Sequence, residues 1–172
     1  KDTGEVVAWG LPDFGGDCSF VSDRLAEGVS SIIAGGRAFA ALKDTGRVVT
    51  WGHFDHGGDC GLVADRLAWG VSSITGNDSA FAALKYTGEV VTWGDAECGG
   101  DCSAVAHRLA QGVRSIAGTA RALAALKDTG EVVTWGDILW GGDCSAAGSL
   151  LSAGVSIVAG SRYGSAFAAL VS

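Results

Sequence analysis

Ten residues, Lys-Asp-Thr-Gly-Glu-Val-Val-Thr-Trp-Gly, recur with small changes four times along this chain, starting at Lys1, Lys43, Lys85 and Lys127. The Trp-Gly pairs at Trp9, Trp51, Trp93 and Trp135 are each 42 residues apart, without drift. A constant period of that length restricts the chain to a repeat architecture, in which each unit leaves an apolar face for its neighbour to cover. The units are 1–42, 43–84, 85–126 and 127–172, and together they read as one repeat domain.

Each unit contains the same four pieces. The Gly4–Gly10 type segment is rich in Val and Trp and ends on glycine, which reads as a strand. A four-residue segment that differs in every copy follows. Gly-Gly-Asp-Cys then opens a short helix, with Asp17, Asp59, Asp101 or Asp143 placed to accept from first-turn amides. Val21 and Leu25 share one helix face, and Gly28 stands where a C-terminal glycine cap belongs. Residues 29–34 and 38–42 are two more apolar strands. The second leads through Lys43-Asp-Thr-Gly46, a tight hairpin turn, into the next Val-Val strand.

Three strands and one short helix cannot cover both of their own faces, so the units must stack. Stacking about an axis gives a β-propeller-like array. The order of the pieces also implies a closure. The chain starts with the last strand of one sheet and ends, at 166–170, with the strand that precedes it. Residues 4–9 are therefore expected to complete the last sheet and close the array into a ring. Unit four departs from the pattern at Ala146-Ala-Gly148 and in the longer Ser161-Arg-Tyr-Gly164, as a seam or cap does.

Composition agrees with a packed domain. The chain is 48% hydrophobic and 18% charged with a mean hydropathy of +0.30, and its 28 glycines against one proline mark turns rather than disorder. The net charge is −7, with no Lys/Arg cluster, so nucleic acid is a poor partner. No run of 18 apolar residues argues for a direct membrane span. The chain begins at Lys1 and lacks Met, so it reads as a soluble chain with its leader removed, or as a piece of a longer one.

Val-Val-Thr-Trp-Gly, a Gly-rich loop, Val-x-Ser-Ile-x-Ala-Gly and Ala-Phe-Ala-Ala-Leu-Lys-Asp-Thr-Gly, in that order, resemble the regulator of chromosome condensation (RCC1) repeat, including its HERC-type look-alikes. The resemblance covers all four units, in a short variant of the repeat. It implies a mainly β, β-propeller-type fold with a binding role. The members typically close seven blades, whereas this chain has four units. It has Ala38-Phe39 where His-Ser is commoner. The inserted loop that the founding member uses for nucleotide exchange is absent, as is a ubiquitin-ligase domain, so no activity carries over.

The candidate chemistry is thin. Trp9, Trp51, Trp93 and Trp135 recur at equivalent positions, which reads as packing between units rather than a ligand cage. Cys18, Cys60, Cys102 and Cys144 are in register, about one repeat apart and so too far for a disulfide, and no CxxC pair marks zinc. Cys98 is extra and lies near Cys102. His53 and His56 have no acid at catalytic spacing and read as exposed loop residues. Gly15-Gly16-Asp17 sets a carboxylate where a phosphate would bind. No catalytic residue, metal site or cofactor is expected, and the chain reads as a non-enzyme.

The informative residues are those that break the repeat. The four loops read Leu11-Pro-Asp-Phe14, His53-Phe-Asp-His56, Asp95-Ala-Glu-Cys98 and Asp137-Ile-Leu-Trp140. Equivalent positions of a propeller share one rim, so Leu11, Phe14, His53, Phe54, His56, Ile138, Leu139 and Trp140 are expected on one surface. Trp69, where other units have Glu27 or Gln111, is a second unrepeated apolar residue. Three uses fit: a protein-interaction scaffold binding another protein or complex through the rim; an accessory subunit of a larger assembly, such as a membrane-associated algal organellar complex; and a lectin-like propeller binding a glycan or other small ligand.

Overall fold

A computed structural model describes residues 3–172; Lys1 and Asp2, the first half of the first Lys-Asp-Thr-Gly turn, lie outside the described residues. The chain is mainly β and forms four antiparallel sheets in succession. A single-turn helix α1 (Ser22–Leu25) precedes β1 (Val29–Ala34), β2 (Ala38–Lys43) and β3 (Val48–Gly52). The pattern repeats as α2 (Ala64–Leu67), β4 (Val71–Gly76), β5 (Ala80–Lys85) and β6 (Val90–Gly94). It repeats again as α3 (Ala106–Leu109), β7 (Val113–Gly118), β8 (Ala122–Lys127) and β9 (Val132–Gly136). The last sheet holds only β10 (Val155–Gly160) and β11 (Phe167–Val171).

Each three-stranded sheet straddles a unit boundary. Its first two strands belong to one unit and its third to the next, joined through the Lys-Asp/Tyr-Thr-Gly hairpin. The middle strand reads Ala-Phe-Ala-Ala-Leu-Lys, with Leu123 in place of Phe in the third sheet, and is buried on both faces. Alanines there let neighbouring sheets approach, and the cores form between sheets rather than within one. Ala38, Ala40, Leu42 and Val48 of the first sheet pack against Leu67, Val71, Phe81 and Trp93 around the second. Near the first strands of the sheets, Gly36 N–H donates to Asp78 O (2.9 Å) and Asp78 N–H donates to Ala120 O (3.1 Å). These backbone bonds tie successive sheets together at one repeat's spacing.

The tryptophans hold each variable loop to the sheet beside it. Trp51 Nε1 donates to Gly15 O (3.0 Å), Trp93 to Gly57 O (3.1 Å) and Trp135 to Gly99 O (3.0 Å). The Trp51 and Trp93 rings stack on Phe39 and Phe81 at 5.3 and 5.4 Å. The Gly-Gly pair is what makes room. Gly57 has φ of +92°, and a Cβ there would lie 2.6 Å from the Phe81 ring, while one on Gly58 would run into the Gly52 backbone. Side chains at both positions are sterically excluded.

The helices are shorter than expected and differently capped. A 3-10 turn starts each one, and the Asp side chain accepts one residue ahead of it: Asp17 from Ser19 N–H (2.8 Å), Asp59 from Gly61 N–H (2.7 Å), Asp101 from Ser103 N–H (2.8 Å) and Asp143 from Ser145 N–H (2.8 Å). The Ser19 and Ser145 amides hold the Asp17 and Asp143 carboxyls below their ordinary pKa. The N-cap of each helix is Val21, Val63 or Val105, the last residue of that turn, so these aspartates brace the turn and not the helix. Gly28 keeps a left-handed φ of +67° but stands two residues past the Ala26 cap, at the entry to β1. In unit four Gly148 occupies the first α-helical position, where glycine is a poor helix former, and only the 3-10 turn Ser145–Ala147 forms.

The expected strand at residues 4–9 is not formed, and the expected closure of the last sheet is absent from the described residues. Val6 N–H donates to Leu25 O (3.0 Å) and Val29 N–H to Gly4 O (3.1 Å), so this segment is held along its own unit. A strand needs a ladder, and among the described residues no middle strand lies beside this segment. The described array therefore ends on two uncovered edges.

The wedge predicts a graded mutational series. Trp93→Ala is expected to cost about 3–5 kcal/mol. Trp93→Phe keeps the ring and orphans the Gly57 carbonyl, costing about 1–2 kcal/mol. Phe20→Ala, at a side chain that is 96% exposed, is expected to stay within about 0.5 kcal/mol. Urea unfolding measures all three, and equal costs at Phe20 and Trp93 would refute the wedge.

Candidate interaction rim and inter-unit clefts

The four variable loops share one backbone. Each is a three-residue 3-10 turn, at Pro12–Phe14, Phe54–His56, Ala96–Cys98 and Ile138–Trp140. Each starts from an extended residue (Leu11, His53, Asp95 or Asp137) and is stopped by a left-handed glycine with φ between +92° and +101°. Asp95 and Asp137 cap their turns by accepting from Glu97 N–H (2.9 Å) and Leu139 N–H (3.0 Å). A constant backbone thus displays four unlike sets of side chains.

Successive loops are tied to one another by the residue that follows each first-strand turn. Arg37 O accepts from His53 N–H (2.9 Å), while the Arg37 guanidinium sits 5.0 Å from the Phe14 ring centre. Arg121 O accepts from Asp137 N–H (3.0 Å), and its side chain lies 3.1 Å from the Asp137 carboxylate and 4.0 Å from that of Glu97. Two grooves run between the units. One of about 1000 Å³ is lined by Phe54, His56, Leu62, Trp93 and Asp95, and one of about 530 Å³ by Pro12, Phe20, Trp51 and Phe54.

The residues singled out in the sequence divide into groups. Leu11, Phe14, Phe54, Ile138 and Leu139 are exposed, with Phe54 at 67% and Leu139 at 80%. Trp140 is half-buried, and its carbonyl accepts from Thr119 Oγ1 (2.8 Å). His53 and His56 are not free loop residues: both are half-buried, their Nδ1 atoms are 3.1 Å apart, and Phe54 stacks on His53 at 5.5 Å. Burial, then the neighbouring His53, pushes the His56 pKa below that of ordinary imidazole. Trp69 is exposed at the opposite end of the second sheet, with Lys85 Nζ 4.4 Å over its ring. Trp51, Trp93 and Trp135 are buried and the four repeated aspartates cap turns, so these two sets are structural.

Two surface residues escaped the sequence reading. Phe20 and Leu62 are fully exposed on the mouths of the two grooves. Their equivalents are Ala104 and Ala146, so the disagreement between copies that marked the loops also marks this position. All five cysteines are free, with Cys98 buried and the other four half-buried. Burial raises the Cys98 thiol pKa, and Asp95 adds to the effect. Among the described residues no helix is long and apolar enough to cross a membrane.

A succession of small antiparallel sheets, each packed against the next, matches the propeller class. Within it the fold is RCC1-like. Yeast Prp20p from Saccharomyces cerevisiae, the yeast RCC1, superposes with a TM-score of 0.55 at 18% identity, over 92% of this chain and 48% of its own. The CRINKLY WD40 ectodomain of the Arabidopsis thaliana receptor kinase ACR4 gives 0.53 at 14% identity, over 83% and 45%. Human WBSCR16 gives 0.50 at 18%, over 83% and 45%. The chain spans less than half the length of each of these structures. No family model and no curated protein matches.

Thiol reactivity tests the packing of the third loop. In the native protein, Ellman's reagent at pH 8 is expected to modify the half-buried cysteines first and to leave Cys98 unmodified until urea unfolds the chain. Labelled peptides read by mass spectrometry decide it, and early labelling of Cys98 would contradict a buried third loop.

Proposed function

We propose that this chain is a non-enzymatic interaction scaffold that binds another protein through the rim formed by its variable loops. The observation that carries the reading is the contrast between a loop backbone kept constant by the Trp–Gly wedge and side chains that differ in every copy. Packing explains the constant part and leaves the variable part without a structural reason. Phe54, Leu11, Ile138 and Leu139 are apolar and exposed there, which is costly in water and typical of the centre of an interface.

The rim also favours one kind of partner. Asp13, Asp55, Glu97 and Asp137 stand among the apolar residues, against Arg37 and Arg121, in a chain of net charge −7. A surface with apolar anchors flanked by Lys or Arg side chains complements it, and the charged fringe speeds encounter. Prp20p, which shares the fold at low identity, is a protein whose binding to Gsp1p and histones has been studied.

The test is a double variant, Phe54→Ala with Leu139→Ala, used as bait beside the parent chain in extracts of the source cells. Because both side chains are exposed, thermal stability is expected to hold within a degree or two, with partner capture falling at least tenfold. Retained capture at equal bait loading would overturn the rim as the binding surface.

A further inference from the structure

The second variable loop differs from the other three in carrying two imidazoles, and its backbone brings them together. Its ends are His53 and His56, where the other loops have Leu11 and Phe14, Asp95 and Cys98, and Asp137 and Trp140. The loop closes as a 3-10 turn, with His56 N–H donating to His53 O (3.1 Å). Three residues make one turn of such a helix, so side chains at i and i+3 eclipse and leave on the same side. The two Nδ1 atoms are accordingly 3.1 Å apart, with the ring planes nearly perpendicular at 85°.

The pair is held in place by its surroundings. His53 N–H donates to Arg37 O (2.9 Å), and Phe54 stacks on the His53 ring at 5.5 Å. Directly after His56, the Gly57 carbonyl accepts from the Trp93 indole (3.1 Å), so the turn is pinned to the neighbouring sheet. A ligand therefore has little freedom left to remove, which is the preorganisation a chelate needs. Both rings are half-buried, and His56 lines the groove of about 1000 Å³, which gives a small ion its path in.

The spacing fits a metal ion. Two imidazole nitrogens 3.1 Å apart, each about 2.0–2.1 Å from one zinc ion, subtend about 95–102° at the metal. That lies between the octahedral and tetrahedral angles. A hydrogen bond between the same atoms uses one Nδ1–H and one lone pair. Coordination uses both lone pairs, with the proton of the donor ring carried on its Nε2, so two neutral imidazoles bind without a net loss of protons. The charge nearby favours a cation: the groove is lined by Asp55, Asp59, Asp95 and Asp101 against Arg66. The Arg37 guanidinium, the opposing charge at the rim, sits by the Phe14 ring at 5.0 Å. Packing does not ask for histidine, since the first loop builds the same turn with Leu11 and Phe14.

We propose that His53 and His56 chelate a late first-row divalent cation, such as zinc, through their two Nδ1 atoms. Imidazole donors suit zinc, copper and nickel, whereas magnesium and calcium take oxygen ligands. Among the described residues no third His, Cys, Asp or Glu joins the pair in a ligand cluster, so the other coordination positions are open to water or to an incoming side chain. Ion binding needs no protein partner and stands apart from the use of the rim as a scaffold.

Calorimetric titration of zinc chloride into the native chain is expected to show saturable binding of one ion. His53→Ala and His56→Ala are each expected to weaken it at least about tenfold, because losing a ligand costs no less than losing an outer-shell partner. Far-UV circular dichroism is expected to be unchanged in both. His107→Ala, at the remaining and exposed histidine, is expected to keep the parent affinity. Long-range 15N–1H spectra of the parent chain identify the atoms: zinc is expected to shift Nδ1 of His53 and His56 and to leave His107 in place, and magnesium to shift none. The five free thiols are the competing ligands. No saturable zinc binding, parent affinity in both variants of the pair, or shifts confined to Nε2 would overturn the proposal.

Discussion

A tryptophan indole N–H bonded to a glycine carbonyl one sheet away is the contact on which the rest of this array depends. The bond spans 36 residues, from the loop of one unit to the third strand of the next. It joins three things at once: the register of the sheet, the shape of the variable loop and the distance between units. The Trp51 and Trp93 rings then stack on Phe39 and Phe81 of the middle strand, and Trp135 faces Leu123, so the apolar body and the one polar atom of each are both satisfied. A left-handed glycine is required as acceptor, because a side chain there would crowd that same Phe or Leu. Trp, a large apolar residue of the middle strand and Gly-Gly are therefore one constraint written in three places, which accounts for their joint recurrence.

The second requirement is thinness. A middle strand of alanines buries both its faces without separating its neighbours, and the apolar clusters consequently lie between sheets. Such a sheet has no independent core. Its stability is a nearest-neighbour property, as in other repeat arrays, and falls wherever the neighbour is missing. Val7, Trp9 and Leu170 are exposed where their equivalents Val49, Trp51 and Leu42 are buried, because among the described residues no neighbouring strand covers them. Arg66 with Glu89 and Arg108 with Glu131, each 2.6 Å apart, reinforce two of the unit junctions from outside, but as half-exposed pairs they add little.

The period made the elements legible. The bounds of β1 and β2, the hairpin that carries one unit into the next and the split of each sheet across a boundary all follow from repeating apolar runs and Asp-Thr-Gly turns. The packing role of Trp51, Trp93 and Trp135 was legible for the same reason. Residues 4–9 misled because a strand is a property of a pair: the same Val-Val-x-Trp sequence is a strand at 48–52 and an unpaired segment at 6–10, according to whether a middle strand lies beside it. The aspartates misled because a 3-10 turn intervenes before each helix, so Asp17, Asp59 and Asp101 stand four residues ahead of the helix N-caps Val21, Val63 and Val105. At the rim, His53 and His56 looked like free loop residues because nothing in a linear sequence shows two imidazoles 3.1 Å apart.

What the repeat leaves unconstrained is the best guide to function. A position that every unit needs for packing is filled alike in each copy, so it says nothing about a partner. Four positions after each Trp-Gly, and the one filled by Phe20, Leu62, Ala104 and Ala146, are released from that demand by geometry: the 3-10 backbone is set by its flanking glycine and by the wedge beneath it. Side chains there can change without moving the scaffold. An enzyme needs several groups fixed against one another at sub-ångström precision, whereas a binding surface needs a rigid support and unlike anchors spread over a rim. The proposed binding role rests on this division between a constant wedge and a variable, partly apolar rim on which Phe54 and Leu139 are exposed.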